Sequence, residues 1–472
     1  MDRQTTMITL EPALTRAHEL AVEFLRTLPD RPVGAISALA DVRARFGGRL
    51  PDHGDDAVTV IETLATAAEG GLTASAGPRY FGFVIGGSLP ATLAADWLTS
   101  AWDQNAAMYV MSPAAAVAED VAGEWLVDLF GLPAGTSVGF TTGATMATFT
   151  GLAAGRHAML AKAGWDVERQ GLFGAPDLPV VVGQDAHATV SAALQMLGLG
   201  RDRVVRVPSD DQGRMLAPAL SDALGGLDRP ALVVAQAGNV NSGSFDPFEP
   251  IVAAVRSNGG WLHVDGAFGL WAAADPSRRE MLHGVGGADS WTTDTHKYLN
   301  VPYDAGLAFV ADPAAHRAAM SMSAAYYVLG TGTQRDSFDY VPDSSRRARG
   351  FTIWAALRSL GRAGLAELVS GACDRATRFA GGLADVPGAS ILNDVVLNQV
   401  LVRFDDRSGE PAAGDRRTNA IISAIRDDGT LWPGSTDWRG RRAMKISVSG
   451  WSTTDEDVDR SLAAIDRIAR AI

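Results

Sequence analysis

Lys297 stands in the run Asp294-Thr-His-Lys-Tyr-Leu-Asn300, and Asp265 closes the earlier run Trp261-Leu-His-Val-Asp265. A lysine in a partly desolvated pocket has a lowered pKa, which lets its amine form an imine with a carbonyl. An acid that ends a buried strand needs a cation, a metal or a protonated ring nitrogen, because an unpaired buried charge is costly. The chemistry would be that of one ligand held between an amine and a carboxylate. Each residue also has a plainer reading: a solvated surface lysine, and an acid paired with an arginine. The chain has only Lys162, Lys297 and Lys445 among its 41 Lys and Arg, so composition does not explain a lysine here.

Two further constellations fall where strands give way to helices. Thr141-Thr142-Gly143-Ala144-Thr145 combines small residues and hydroxyls at a helix start, which favours an anion or is simply a capped helix. It lacks the Gly-Lys-Ser/Thr of a Walker loop and the dinucleotide fingerprint. His187, in Gln184-Asp-Ala-His-Ala-Thr189, either caps a helix or lies flat on a ring. Taken together, an anion cradle, a stacking aromatic, a carboxylate for a ring N–H and an imine-forming lysine are what pyridoxal phosphate requires. No metal is expected, since His263 and Asp265 are the nearest pair and the ligand spacing is not compact.

The elements that must position these residues alternate from Ser137 onward. Strands are predicted at Ser137–Thr142, Leu178–Gly183, Val204–Val207, Ala231–Ala235 and Trp261–Val264. Helices fall between them at Met146–Lys162, Thr189–Leu197, Leu216–Leu224 and Pro247–Arg256. This βαβα order implies a mostly parallel sheet with helices on both faces. Before it, amphipathic helices are predicted at Pro12–Leu28 and Ala57–Glu69, and Ser112-Pro113 opens another with a hydroxyl cap and proline in the first turn. After Phe351 come helices at Thr352–Leu360 and Leu365–Phe379, strands at Val400–Phe404 and Met444–Val448, and a helix at Asp455–Ala469. The reading divides the chain into a helical segment, residues 1–78, a large α/β domain, 79–350, and a small C-terminal α+β domain, 351–472.

A net charge of −13 without a Lys/Arg run argues against nucleic acid or an anionic membrane as partner. The lone Cys373 excludes an intrachain disulfide and fits a reducing cytoplasm. No signal peptide or continuous apolar span is visible, so a cytoplasmic protein is expected.

The sequence resembles the group II pyridoxal-phosphate-dependent amino-acid decarboxylases, which include the aromatic-L-amino-acid and glutamate decarboxylases. The resemblance runs from Arg79-Tyr80-Phe81 and Ser112-Pro113 through Asp185-Ala-His187, His263-Val-Asp265-Gly-Ala267 and His296-Lys297 to Ser345-Arg346-Arg347 and Ser447-Val448-Ser449. It implies the aspartate aminotransferase fold type I, and an enzyme that removes CO2 from an L-amino acid. Other chemistry on the same cofactor is the alternative: aldehyde synthesis, transamination or carbon–carbon lysis. By the resemblance, Lys297 holds pyridoxal 5'-phosphate, Asp265 keeps its ring nitrogen protonated, and His187 and Ala267 flank the ring. Gly143, Ala144 and Thr145 bind phosphate, with Thr295 a further donor and Asn239 in a nearby loop. His296 lies beside the imine, and Tyr340 is the candidate for the catalytic-loop tyrosine in the region Gly330–Ser345.

Two departures from the family stand out. Met146 replaces an acid, and Asp294 replaces an asparagine; an anion near phosphate is unfavourable, so Asp294 is expected to point elsewhere, toward an arginine. Val84, Ile85, Gly86 and Gly87 follow Tyr80-Phe81, leaving Phe83, Trp102 and Tyr109 as aromatic walls for an aromatic or otherwise hydrophobic substrate. The resemblance also implies a homodimer, with Ser344 and Ser345 reaching a neighbour's phosphate.

Overall fold

The computed structural model describes residues 3–322 and 334–472, with side chains described from residue 10 onward. The start of the Gly330–Ser345 region therefore lies outside the described residues. Three helices open the chain: α1 (Arg3–Thr27), α2 (Leu39–Phe46) and α3 (Ala57–Ala68). The first runs through Pro12 rather than starting near it. Strand β1 (Tyr80–Phe81) is followed by α4 (Pro90–Trp102) and α5 (Pro113–Leu129). As the sequence suggested, Ser112 caps α5, its hydroxyl accepting from Ala115 N at 3.3 Å.

The α/β alternation follows as β2 (Ser137–Thr141), α6 (Ala144–Lys162), α7 (Val167–Gln170), β3 (Val180–Gly183), α8 (Ala188–Met196) and β4 (Val205–Val207). It continues through α9 (Ala217–Gly225), β5 (Leu232–Gln236), α10 (Phe248–Asn258), β6 (Trp261–Asp265), β7 (Ser290–Asp294), β8 (Gly306–Val310) and α11 (Pro313–Met320). The seven strands order as β2-β8-β7-β6-β5-β3-β4. Only β8 runs against its neighbours; the other pairs are parallel. Runs such as Val180–Val182 and Leu232–Val234 are buried throughout, as strands covered on both faces must be.

β7 is a strand that sequence reasoning missed, because Ser-Trp-Thr-Thr-Asp does not read as apolar. It is fully buried nonetheless, with its hydroxyls paired. Ser290 Oγ lies 2.8 Å from His263 Nδ1 and 3.0 Å from Trp261 Nε1, and Thr293 donates to Gly266 O at 3.0 Å. Buried hydroxyls with partners cost little.

The last part comprises α12 (Gly350–Ala384), β9 (Ala389–Ile391), β10 (Gln399–Phe404), α13 (Pro411–Asp428), β11 (Trp432–Trp438), β12 (Arg441–Ser447) and α14 (Asp455–Ala471). Two helices expected around residue 361 are one long helix broken at Gly361, whose φ of 60° only glycine adopts freely. A five-stranded sheet, β1-β11-β12-β10-β9, borrows β1 from far upstream. Arg79, beside β1, is buried and donates to Thr430 O and Pro29 O, which fastens the first helical segment to this second sheet.

Candidate active site

Topology alone brings the chemistry to one edge. β2, β3, β6 and β7 end on the same side of the sheet, and the reversed β8 begins there. In register, Thr141 sits opposite Gly306, Gly306 opposite Asp294, and Asp265 opposite Thr292. The α6 start and the Asp294–Lys297 segment therefore share one row at the carboxyl edge, with Asp265 two residues from it, where open α/β sheets bind ligands. Gly306 must be glycine: a Cβ there would lie 2.5 Å from Gly143 Cα.

At the centre, Lys297 Nζ lies 2.8 Å from Asp294 Oδ2. Asp294 Oδ1 accepts from Ala144 N, the first N–H of α6, at 2.6 Å. The expectation that Asp294 turns away toward an arginine is thus corrected. A helix start attracts a carboxylate as it attracts a phosphate, and an ammonium three residues along completes the pull. His296 Nδ1 accepts from Ala305 N at 3.2 Å, which puts the ring proton on Nε2, 3.5 Å from Asp294 Oδ1. Burial lowers the His296 pKa more than Asp294 raises it, so the ring is neutral near pH 7. Thr295 gives its hydroxyl proton to Ala305 O at 3.1 Å rather than to the cradle.

His187 is the N-cap of α8: its Nδ1 accepts from Thr189 N at 3.3 Å. Burial lowers its pKa, while the charges of Asp265, Lys297, Lys445 and Asp294 all reach it, which places the ring among them. Asp265 is buried, and its Oδ1 accepts from Ala267 N at 3.2 Å. Among the described residues no cation pairs with it. Asn239 is fully buried, and its side-chain oxygen accepts from Asn241 N and Ser242 N, shaping the loop that carries Val240.

That loop meets a residue the sequence reading did not single out. Lys445, on β12, is buried and donates to Val240 O at 3.0 Å. Burial first, then the charge of Lys297, pushes its pKa down to about 8. No acid pairs with it among the described residues. Its rarity as one of three lysines was the only signal in the sequence, and its partner lies 205 positions away.

The wall above Lys297 is the segment after β1. A Cβ on Gly86 would stand 1.9 Å from Lys297 O, so the chain crosses there as glycine or not at all. Tyr80 and Phe83 both stack on Trp432, with centroids 5.1 and 5.6 Å apart. Tyr303 stacks on His296 at 4.3 Å. Trp102 and Tyr109 are not part of this wall within the protomer: Trp102 packs edge-on against Phe351, and Tyr109 N donates to Asp336. Tyr340 also stands apart, its ring against His316 and under the Arg335 guanidinium at the β2 edge. Ser344 is half-buried and Ser345 exposed.

The family described as pyridoxal-dependent decarboxylase conserved domain matches residues 40–405. The chain belongs to that family. This decarboxylase is similar to an L-2,4-diaminobutyrate decarboxylase of Rhizobium meliloti (strain 1021), 29% identical, over 80% of this chain and 75% of the relative. It is also similar to an aromatic-L-amino-acid decarboxylase of Bacillus atrophaeus, 22% identical, over 97% and 95%. Its fold matches the crystal structure of Oryza sativa TDC with PLP and tryptamine, with a TM-score of 0.91, 21% identity and 98% of each chain covered.

The cofactor of this decarboxylase is pyridoxal 5'-phosphate, and its residues fit that group on two observations. Asp265 is a buried carboxylate with no cationic partner among the described residues, which suits a ring N–H. The α6 start is capped by a glycine without a side chain, and Asp294 takes only its first N–H, which leaves those that follow for an anion.

Proposed function

We propose that this decarboxylase acts on an L-amino acid with an aromatic or otherwise hydrophobic side chain, releasing CO2 and leaving the amine. The observation that carries the substrate reading is the division of the site. Lys445 supplies an unpaired ammonium on the side of the small sheet, and Tyr80, Phe83, Trp432 and Tyr303 supply apolar and aromatic surface at the rim. An α-carboxylate suits the first and a hydrophobic side chain the second.

When bound, the cofactor supplies an electron sink for the pair left behind as CO2 departs. The chain does the rest. Lys297 attaches the cofactor by its amine and afterwards holds a proton close to Cα. Asp265 keeps the ring nitrogen protonated. His187 and His296, both neutral, wall the site without adding charge. Lys445 holds the carboxylate, which fixes the orientation of the Cα–carboxylate bond. Residues 79–350 form the cofactor-binding unit in this reading, and 351–472 lend Lys445.

The test is incubation with a panel of L-amino acids, aerobically and anaerobically, with products identified by mass. Amine and CO2 in equal amounts under both conditions, from hydrophobic amino acids, is the expected result; amine from acidic amino acids alone would refute the substrate reading. A second reading, oxygen-dependent aldehyde formation, is supported by similarity to a phenylacetaldehyde synthase of Arabidopsis thaliana, 23% identical over 96% of this chain and 94% of the relative. An aldehyde that disappears without oxygen would select it.

We also propose a homodimer. A groove of about 860 Å³ between α4, α5 and α12 is lined by Leu98, Trp102, Val117, Phe351 and Trp354, and Trp97 beside it is 41% exposed. Apolar patches of this size mark interfaces. The unpaired faces of α1 and α3, with Leu14 and Leu64 more than half exposed, need cover as well. A second copy is the occupant, since Trp102 and Tyr109 would then be offered to a neighbouring site. Sedimentation equilibrium should give twice the chain mass; an active monomer would end this reading.

A further inference from the structure

Asp294 presents a conflict that the family membership does not resolve. Its carboxylate, 3% exposed, occupies the α6 start through Ala144 N at 2.6 Å and pairs with the Lys297 ammonium at 2.8 Å. These are the two things the cofactor must use, the helix start for its phosphate and the amine for its carbonyl. Among the described residues Lys297 is the only Lys or Arg within ion-pair distance of Asp294, and His296 faces it neutral. A Cβ at position 143 would stand 3.4 Å from Asp294 Oδ1, so the glycine there leaves the carboxylate its place at the helix start.

We propose that Asp294 is a built-in competitor for the cofactor phosphate, so that loading proceeds by displacement and the cofactor is held in readily exchangeable form. The carboxylate and the phosphate are like charges drawn to the same helix start. Cofactor arrival costs the Ala144 and Lys297 contacts of Asp294, and the displaced carboxylate stays within repulsive range of the phosphate. Asp294 is a positioning residue in this scheme: it sets how tightly the site holds its cofactor. Activity in a cell would then follow the free cofactor concentration.

Asp294→Asn is the direct test, because the amide keeps an acceptor for Ala144 N while removing the charge. Apo-protein of the unaltered chain and of the variant is titrated with inorganic phosphate by calorimetry, and with pyridoxal 5'-phosphate and unphosphorylated pyridoxal by absorbance. The variant should bind phosphate and pyridoxal phosphate at least about ten-fold more tightly. Pyridoxal, which lacks the competing anion, should gain several-fold less. Unchanged or weaker phosphate binding in D294N, or an equal gain for pyridoxal, would overturn the proposal. A measurement on the unaltered chain covers the case in which D294N does not fold. There the phosphate should add at most about ten-fold to the affinity of pyridoxal, and a larger preference would count against competition.

Discussion

Lys297→Ala should bind the cofactor only reversibly and lose turnover by at least about 10⁴-fold, since both the covalent attachment and the proton held at Cα go with the amine. The measurement is twofold: the absorption band of lysine-bound cofactor, and the mass of the labelled peptide after borohydride reduction. The second readout matters because Lys445 lies within the electrostatic reach of Lys297 and its own amine is pushed down to about 8. Geometry favours Lys297. It lies on the sheet edge beside the α6 start, with a side chain 21% exposed, whereas Lys445 is held to Val240 O on the second sheet. In the unaltered chain the label should sit on Lys297 alone, and in the variant on neither residue. A label that survives the substitution by moving to Lys445 would show the assignment of the two amines to be reversed.

Most of the large sheet was readable because its parallel strands are continuous apolar runs and its helices keep the 3.6-residue period. Between Ser137 and Asp265 the predicted elements fall within two residues of the observed ones. Asp265 stood out because it ends such a run directly and His187 because it follows one at a helix start, whereas Lys297 stood out through the scarcity of lysine; the register then carries Asp265 and the Asp294–Lys297 segment to one edge. What escaped depends on contacts across long stretches of chain. β7 reads as polar until Ser290 and Thr292 are seen against His263. Trp432 reaches the site only because β1 pairs with β11, aligning Tyr80 with Trp432. The helix α13 was missed, its apolar positions interrupted by Gly414, Asp415, Arg416 and Arg417. Asp294 was misplaced because repulsion from an expected phosphate was weighed without Lys297 three residues on.

Lys445 gives the second large effect, and its sign follows from the direction of its shift. Burial penalises the charged amine, and Lys297 adds repulsion, so the ammonium persists below about pH 8 and is lost above it. The groups facing Lys445 are Lys297, His187 and the Val240 carbonyl, and none of them supplies a negative charge. In the proposed reading a substrate carboxylate is its counter-ion, and it stays ionised across the range. Substrate capture should therefore hold steady up to about pH 8 and weaken beyond it, with kcat/KM falling toward ten-fold per pH unit. Lys445→Arg keeps its charge at all these values and should flatten that limb, which separates Lys445 from the other groups that titrate at alkaline pH. Lys445→Met should raise KM by roughly 100-fold, the worth of a charge-assisted contact. Its Tm should not fall, because an apolar side chain no longer has an unpaired ammonium to bury. That pairing of lost affinity with retained stability is the signature of a ligand contact; a KM unchanged in Lys445→Met would mean the carboxylate is held elsewhere. A buried ammonium without an acidic partner costs stability that a bound anion offsets, so in this reading part of the stability of the fold is given up in advance for substrate recognition.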